Sequence, residues 1–386
     1  MHNNSSDHSN HFVFFCEGQL GDLLILTPAI RAVKDSFPDA KITAVILQRR
    51  SYDGVEGSEI IINTGPFYGT SCVLADNKNV DRVLEIDRHY LRTLRGFSRL
   101  AAEIQIIRRL RAIKPDAVIC TFPQDRFVIW AYLSGAAIRI GQRNQKFARL
   151  LTRKPNIKKE LIGVRDYYLA LAGSAGARPQ HVDTDFHIPE DAEQWADDLF
   201  RTFKITDTQK IVAVHPGASG PYKIWPPENF ARMIDQLQNS MGCRVIICGT
   251  AFDEAVIADI RRNVLTTVTG IEIDHNVARF AAVLKRCRVC ISNDSGPRHL
   301  AVAVGTPSVA LMMRDQDRQW KIYPDDEKNT VLQGDKECPA CDSAPCRHVI
   351  PEGVTYGSVC IRRITVERVL NAVQTILEAK LKRDYF

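Results

Sequence analysis

No stretch of this 386-residue chain approaches the ~18 uninterrupted apolar residues that a transmembrane helix needs. Its opening, MHNNSSDHSN, is polar where a secretory leader would be apolar, so the expectation is a cytoplasmic protein. There is no low-complexity segment and no short repeat. A G-x-x-x-x-G-K-[ST] phosphate loop is missing, and no G-x-G-x-x-G follows the first apolar run, which weakens an NAD-dependent reading. Basic residues are not interleaved with aromatics, so nucleic acid is not an expected partner. The eleven cysteines are odd in number and lack a leader, which argues against a full disulfide framework.

What is present is an ordinary globular composition, 45% hydrophobic and 25% charged, at a length that suits two domains. The net charge of +6 is unevenly spread: residues 81–160 hold 18 Lys plus Arg against 7 Asp plus Glu, a local +11, so the remainder sums to −5. Such asymmetry points to an anionic partner for the first half, although a solvated helix face around RLAAEIQIIRRLRAIK would give the same count.

Short apolar runs alternate with amphipathic stretches throughout. HFVFFC, KITAVIL, RVLEI and DAVICTF read as buried strands with helices between them, the longest near 94–113. After a linker near 185–208 the pattern restarts with KIVAVHPG, CRVIICG, LTTVTG, RVCISND and TPSVALM as strands. The expected organisation is an N-terminal Rossmann-like domain over 11–190, a C-terminal one over 205–365, and a terminal helix over 366–386. That helix carries Val366, Val369, Leu370, Val373, Ile376 and Leu377 on one stripe, without revealing which domain it covers. In doubly wound sheets ligands bind beyond the carboxyl ends of the strands, so the loops there deserve the closest reading.

Four loops stand out. EGQLGDLLILTPAIR places Asp22 as the sole charged residue between Gly18 and Ile30, among apolar neighbours. Either Thr27 caps a helix starting at Pro28, or the helix starts near Gly21 and Pro28 sits inside it, at a cost of about 3 kcal/mol if unrelieved. In ISNDSGPRHLAVAVG a strand ends at Asp294 and a helix opens at Ser295, Gly296 and Pro297, where free backbone N–H groups and the dipole suit a phosphate. His299, one turn on, would face the same ligand; simple capping with a core-facing histidine fits these residues equally. HPGASGPYKIW offers glycines, Ser219 and Lys223, a set that can hold a diphosphate or be a plain surface turn. In GTAFDEAV, Asp253 or Glu254 follows a strand where ribose hydroxyls are commonly received, or serves only the helix dipole.

Three blocks, GDLLILTPAIRAVKDSFPDAKI, HPGASGPYKIWPPENFARMI and SNDSGPRHLAVAVGTPSVAL, together resemble glycosyltransferase family 9, the ADP-heptose-dependent heptosyltransferases of the lipopolysaccharide inner core. They occur in family order and bracket residues 18–310. The resemblance implies an α/β fold of the GT-B type, two Rossmann-like domains facing a central cleft, and inverting, metal-independent transfer without a cofactor. By the same resemblance Asp22 is the general base and Lys223 binds the donor diphosphate. Asp294, Ser295, Gly296 and His299 would contact the donor, with Glu254 on its ribose, and the loop reading adds Ser219 on the diphosphate. The chemistry is coherent: burial raises a carboxylate's basicity, and cations with helix-start amides oppose charge developing on a leaving diphosphate.

The basic first half then suits an anionic glycolipid acceptor, with Gly21, Arg139 and Arg143 as candidate contacts, and peripheral contact with the cytoplasmic membrane face. A same-fold glycosyltransferase acting on protein or another acceptor is the alternative, and a non-catalytic nucleotide-sugar-binding protein a remoter one. The cluster CPACDSAPCRHV with Cys360 either ligates a metal, pairs by oxidation, or holds packed reduced thiols; being outside the three blocks, it suggests no catalytic metal.

Overall fold

The structure is a computed structural model that describes residues 10–48, 62–65, 67, 69–157, 163–206, 208–272, 276–314, 320, 322–324, 326, 328–334 and 350–384. The chain divides into two compact units, Met1–Asp185 and Phe186–Phe386.

Unit 1 is built on a six-stranded sheet of β1 (His11–Glu17), β2 (Lys41–Gln48), β3 (Ile62–Asn63), β4 (Arg82–Asp87), β5 (Ala117–Cys120) and β6 (Ile138–Ile140), in the order β3-β4-β2-β1-β5-β6. All neighbours are parallel except β3 against β4. From β1 the chain winds outward through β2 and β4, then returns to place β5 on β1's other side. The point where the winding reverses therefore lies between β1 and β5. Strands such as FVFFC are buried on both faces, as a covered parallel sheet requires. Val13, Phe15, Val45, Leu84 and Val118 meet Ala102, Ile106 and Leu110 of a long helix, Gly96–Ile113.

Unit 2 repeats the plan with every strand pair parallel. Its strands are β7 (Lys210–His215), β8 (Cys243–Gly249), β9 (Thr269–Glu272), β10 (Val289–Asn293), β11 (Ser308–Met312) and β12 (Asn329–Gln333), in the order β12-β11-β10-β7-β8-β9. Here the reversal lies between β7 and β10. The strand expected at LTTVTG starts only at Thr269. Asp235 explains the delay: its carboxylate accepts from the amides of Leu265 and Thr266 and from the Thr266 hydroxyl, holding these residues as a loop.

The terminal helix, Val366–Asp384, belongs to unit 2, where Val366, Val369, Val373, Ile376 and Leu377 enter the core beside Phe230, Ile234 and Leu237 of helix Pro227–Asn239. The expected α/β class of two Rossmann-like domains is what the chain adopts. No described helix is long and apolar enough to cross a membrane.

Candidate active site

In unit 1 the loop after β1 is only two residues long. Helix α1 spans Leu20–Ser36, so Asp22 lies in its first turn and Pro28 in its interior. Of the two geometries open to this segment, the helix starting before Asp22 is the one formed. Pro28 has no N–H to give the carbonyl of Leu24, one turn back. The Thr27 hydroxyl donates to that carbonyl instead, at 2.8 Å, and itself accepts from the Asp185 amide at 3.1 Å. The helix thus runs through its proline without leaving the freed carbonyl buried and bare.

Asp22 is 6% exposed and sits at the reversal point of the sheet, where ligands of such folds bind. The Tyr168 hydroxyl approaches its Oδ1 at 3.4 Å. Burial, and then the charge of Asp22, push the Tyr168 hydroxyl well above the usual tyrosine range, so it stays protonated and able to donate. An acid in the first helical turn is also favoured by the helix dipole.

Behind this turn is a polar layer that the sequence did not announce. Glu17, given no role from sequence, is buried at the end of β1 with Arg88 3.4 Å away. Gly18 packs flat on Gln48, whose side-chain oxygen occupies the space a Cβ would need. Gln48 donates to Thr70 and Ser71, Thr70 donates to the Gly18 carbonyl, and Ser71 donates to Glu85. These bonds fix the backbone immediately before Asp22.

The acceptor-side candidates are dispersed. Gly21 is half-buried beside Asp22, and Arg143 is exposed in the loop after β6, on the same edge of the sheet. The guanidinium of Arg139 is engaged by the carbonyls of Leu150 and Ala136 and lies over the Tyr132 ring, so its first task is holding the loop after β6.

In unit 2 the reversal between β7 and β10 brings two candidate loops together. Lys223, in a short 3-10 turn after β7, places its Nζ 3.7 Å from the Asp294 carboxylate. Arg298, fully buried, reaches the same carboxylate at 3.9 Å. Asn293, also fully buried, fastens the loops: its side chain donates to the Pro216 carbonyl at 2.6 Å and accepts from the Trp225 amide at 3.0 Å. Ser295 precedes helix Gly296–Ala303, with Pro297 in its first turn. Ser219 is exposed on the loop after β7.

His299 is 2% exposed, and its Nδ1 lies 3.0 Å from the Tyr323 hydroxyl. Burial, reinforced by Arg298, lowers its pKa to about 3, so the ring is neutral at physiological pH. His215, at the end of β7, is likewise held below its ordinary value by burial, against the pull of Asp253 at 3.6 Å. The positive charge of this pocket accordingly comes from Lys223 and Arg298, and sequence reading had given no part to Arg298.

The two acids of GTAFDEAV divide their work. Asp253 accepts from the Thr250 amide and hydroxyl in a capping box and lies against Gly217, where any Cβ would collide with its carboxylate. Glu254 is exposed and lines a cavity of about 320 Å³ beyond β8 and β9, with Thr250, Arg261 and Ile271.

Of the cysteine cluster, Cys338, Cys341 and Cys346 lie outside the described residues. Cys360 is buried, as are Cys16, Cys120, Cys248 and Cys290, whose thiols burial pushes up. Cys16, Cys120, Cys248 and Cys290 pack as small apolar groups.

A family model described as glycosyltransferase family 9 (heptosyltransferase) matches residues 104–349, which include the candidate loops of unit 2 and exclude Asp22. Lipopolysaccharide heptosyltransferase 3 of Escherichia coli K12 is 24% identical over 367 residues, covering 92% of this chain and 95% of its own. Two solved structures share the fold. A family 9 glycosyltransferase from Veillonella parvula superposes with a TM-score of 0.75 at 22% identity, over 96% of this chain and 97% of its own. The ADP-heptose lipopolysaccharide heptosyltransferase II of E. coli gives 0.70 at 18%, over 96% and 99%.

Proposed function

The chain belongs to glycosyltransferase family 9, the heptosyltransferases, and from that membership we propose that it transfers a heptose from ADP-heptose to an anionic glycolipid of the lipopolysaccharide inner core. The observation that carries the donor side is the meeting of Lys223, Asp294 and Arg298 at the reversal point of unit 2, beside the helix that opens at Gly296. Two cations and a helix start suit a nucleoside diphosphate, whose charge rises as the glycosidic bond breaks. Asp294 can only accept hydrogen bonds as a carboxylate, which fits sugar hydroxyls rather than phosphate oxygens. Glu254 has the same capacity toward ribose hydroxyls in its cavity. The names of E. coli heptosyltransferase 3 and heptosyltransferase II support this choice of sugar, nucleotide and pathway.

On the acceptor side Asp22 is the base. It would take the proton of the acceptor hydroxyl as that oxygen attacks the anomeric carbon opposite the leaving ADP, inverting the configuration. Tyr168 and the polar layer behind Gly18 hold the carboxylate in place. No metal is needed in this scheme, because Lys223, Arg298 and the helix amides oppose the diphosphate charge.

The test is to incubate the purified protein with a panel of nucleotide sugars and a heptose-deficient core glycolipid, and to measure nucleoside diphosphate release and the anomeric configuration of the product. ADP release with ADP-heptose and an inverted linkage is expected. Preference for a uridine or guanosine donor, or retention of configuration, would overturn the reading.

A further inference from the structure

The long helix Gly96–Ile113 of unit 1 has two faces. Ala102, Ile106 and Leu110 are buried in the sheet's core. On the opposite side, Phe97, Leu100 and Ile104 are 92%, 57% and 40% exposed. Their spacing of three and four residues continues to Arg108 and Arg111, both exposed, so all five lie on one outward stripe, apolar at the start of the helix and cationic at its end. Three large apolar side chains on one turn-spaced line differ from the scattered exposed apolar residues of an ordinary surface.

The surrounding charge is one-sided. From Arg88 to Lys114 the chain holds eight Lys plus Arg against a single acid, Glu103. Glu103 is engaged by Arg126 and by the Trp130 indole on the inner flank of the helix. A second copy of this face would meet it with like charge, whereas an anionic surface would be drawn to it.

We infer that this stripe docks unit 1 onto an anionic lipid bilayer, with Phe97, Leu100 and Ile104 entering the headgroup boundary and Arg108 and Arg111 pairing with lipid phosphates. A helix lying in the interface needs this combination: an apolar stripe to bury and cations along it. Its placement also suits a glycolipid substrate. Helix Arg88–Thr93 starts where β4 ends, Arg88 reaches Glu17 at the end of β1, and the Arg99 guanidinium bonds the Leu91 carbonyl. The apolar start of the long helix is therefore tied to the end of β1, next to the helix turn that carries Asp22, where a headgroup-borne acceptor hydroxyl must arrive. That last step rests on the function proposed above, while the docking itself does not.

The experiment is co-sedimentation of the full chain with vesicles of phosphatidylethanolamine and phosphatidylglycerol, and with neutral phosphatidylcholine vesicles. The wild type should bind the anionic vesicles and not the neutral ones, and 0.5 M salt should weaken binding strongly. Two variants are compared, F97S/L100S/I104S and R108E/R111E. Each should lower the apparent vesicle affinity at least about tenfold, since one cation near an anionic membrane is worth about fivefold. The replaced side chains are exposed; Arg111 also donates to the Leu133 carbonyl, so unchanged thermal melting and ADP affinity would show the fold and donor site intact. Equal binding to neutral vesicles, or undiminished binding by both variants, would overturn the inference. So would a wild-type dimer in light scattering that F97S/L100S/I104S converts to monomer, because the stripe would then be a contact between copies. A donor assay that failed while vesicle binding behaved as expected would overturn the proposed reaction alone.

Discussion

Lys223 and Asp294 come from loops after two different strands, yet their charged atoms lie 3.7 Å apart, with Arg298 on the carboxylate's other oxygen at 3.9 Å. The pair separates two effects that a single substitution would confuse. Lys223→Met should weaken ADP binding and lower turnover by about a hundredfold or more, the scale of losing one charge stabiliser. Asp294→Asn removes negative charge beside the diphosphate, so ADP should bind at least as tightly while transfer from ADP-heptose slows. Calorimetry with ADP alongside steady-state turnover checks both, and parallel losses in the two variants would refute the division of roles.

Asp22→Asn keeps the shape and removes the base. Transfer should fall by about 10²–10⁴, with ADP affinity unchanged. Tyr168→Phe should have a smaller effect, because it removes only the hydroxyl beside Oδ1. Near-normal turnover by the Asn variant would move the base elsewhere.

The bond from Thr27 to the Leu24 carbonyl makes a prediction about stability. Thr27→Val strands that carbonyl and deprives the Asp185 amide of its acceptor, at a cost of about 1–3 kcal/mol. Pro28→Ala in the same background restores an amide for Leu24 and should recover part of the loss. Chemical denaturation of the single and double variants measures this, and strict additivity would show that the hydroxyl does not stand in for the missing N–H.

His299 predicts a direction with pH. Its pKa of about 3 in the folded protein lies below the ordinary 6.5, so the unfolded chain takes up a proton that the folded one refuses. Stability contributed by the neutral ring is complete above pH 6.5 and is lost as pH falls toward 3. Between pH 7 and 5 that amounts to about 2 kcal/mol. His299→Gln, which can still bond Tyr323, should flatten this part of the acid limb in urea titrations. An unchanged slope would mean that the ring is not held neutral.

Much of this arrangement is legible in the sequence because period and punctuation act locally. Strands buried on both faces read as unbroken apolar runs, and a proline after Ser295 and Gly296 marks a helix start. What could not be read depends on partners far along the chain. Pro28 left two helix starts open, and the Thr27 hydroxyl, which stands in for the missing donor, decides between them. Asp235 delays β9 from thirty residues away. His299 carries the residue type of a ligand contact, but burial, with Arg298 beside it, keeps the ring neutral. Arg298 itself, between a proline and a histidine, gave no hint that it would be fully buried beside Asp294.

The helix Val366–Asp384 has a consequence for biosynthesis. Among the described residues, the core cluster on the unit 1 sheet draws only on residues before Asp185, whereas unit 2 needs Val369, Val373, Ile376 and Leu377 to cover β10 and β11. The N-terminal half can therefore fold on the ribosome while the other is still being translated. Over that interval the apolar face of helix Pro227–Asn239 stands open, and unit 2 is the half that a chaperone would be called on to shield.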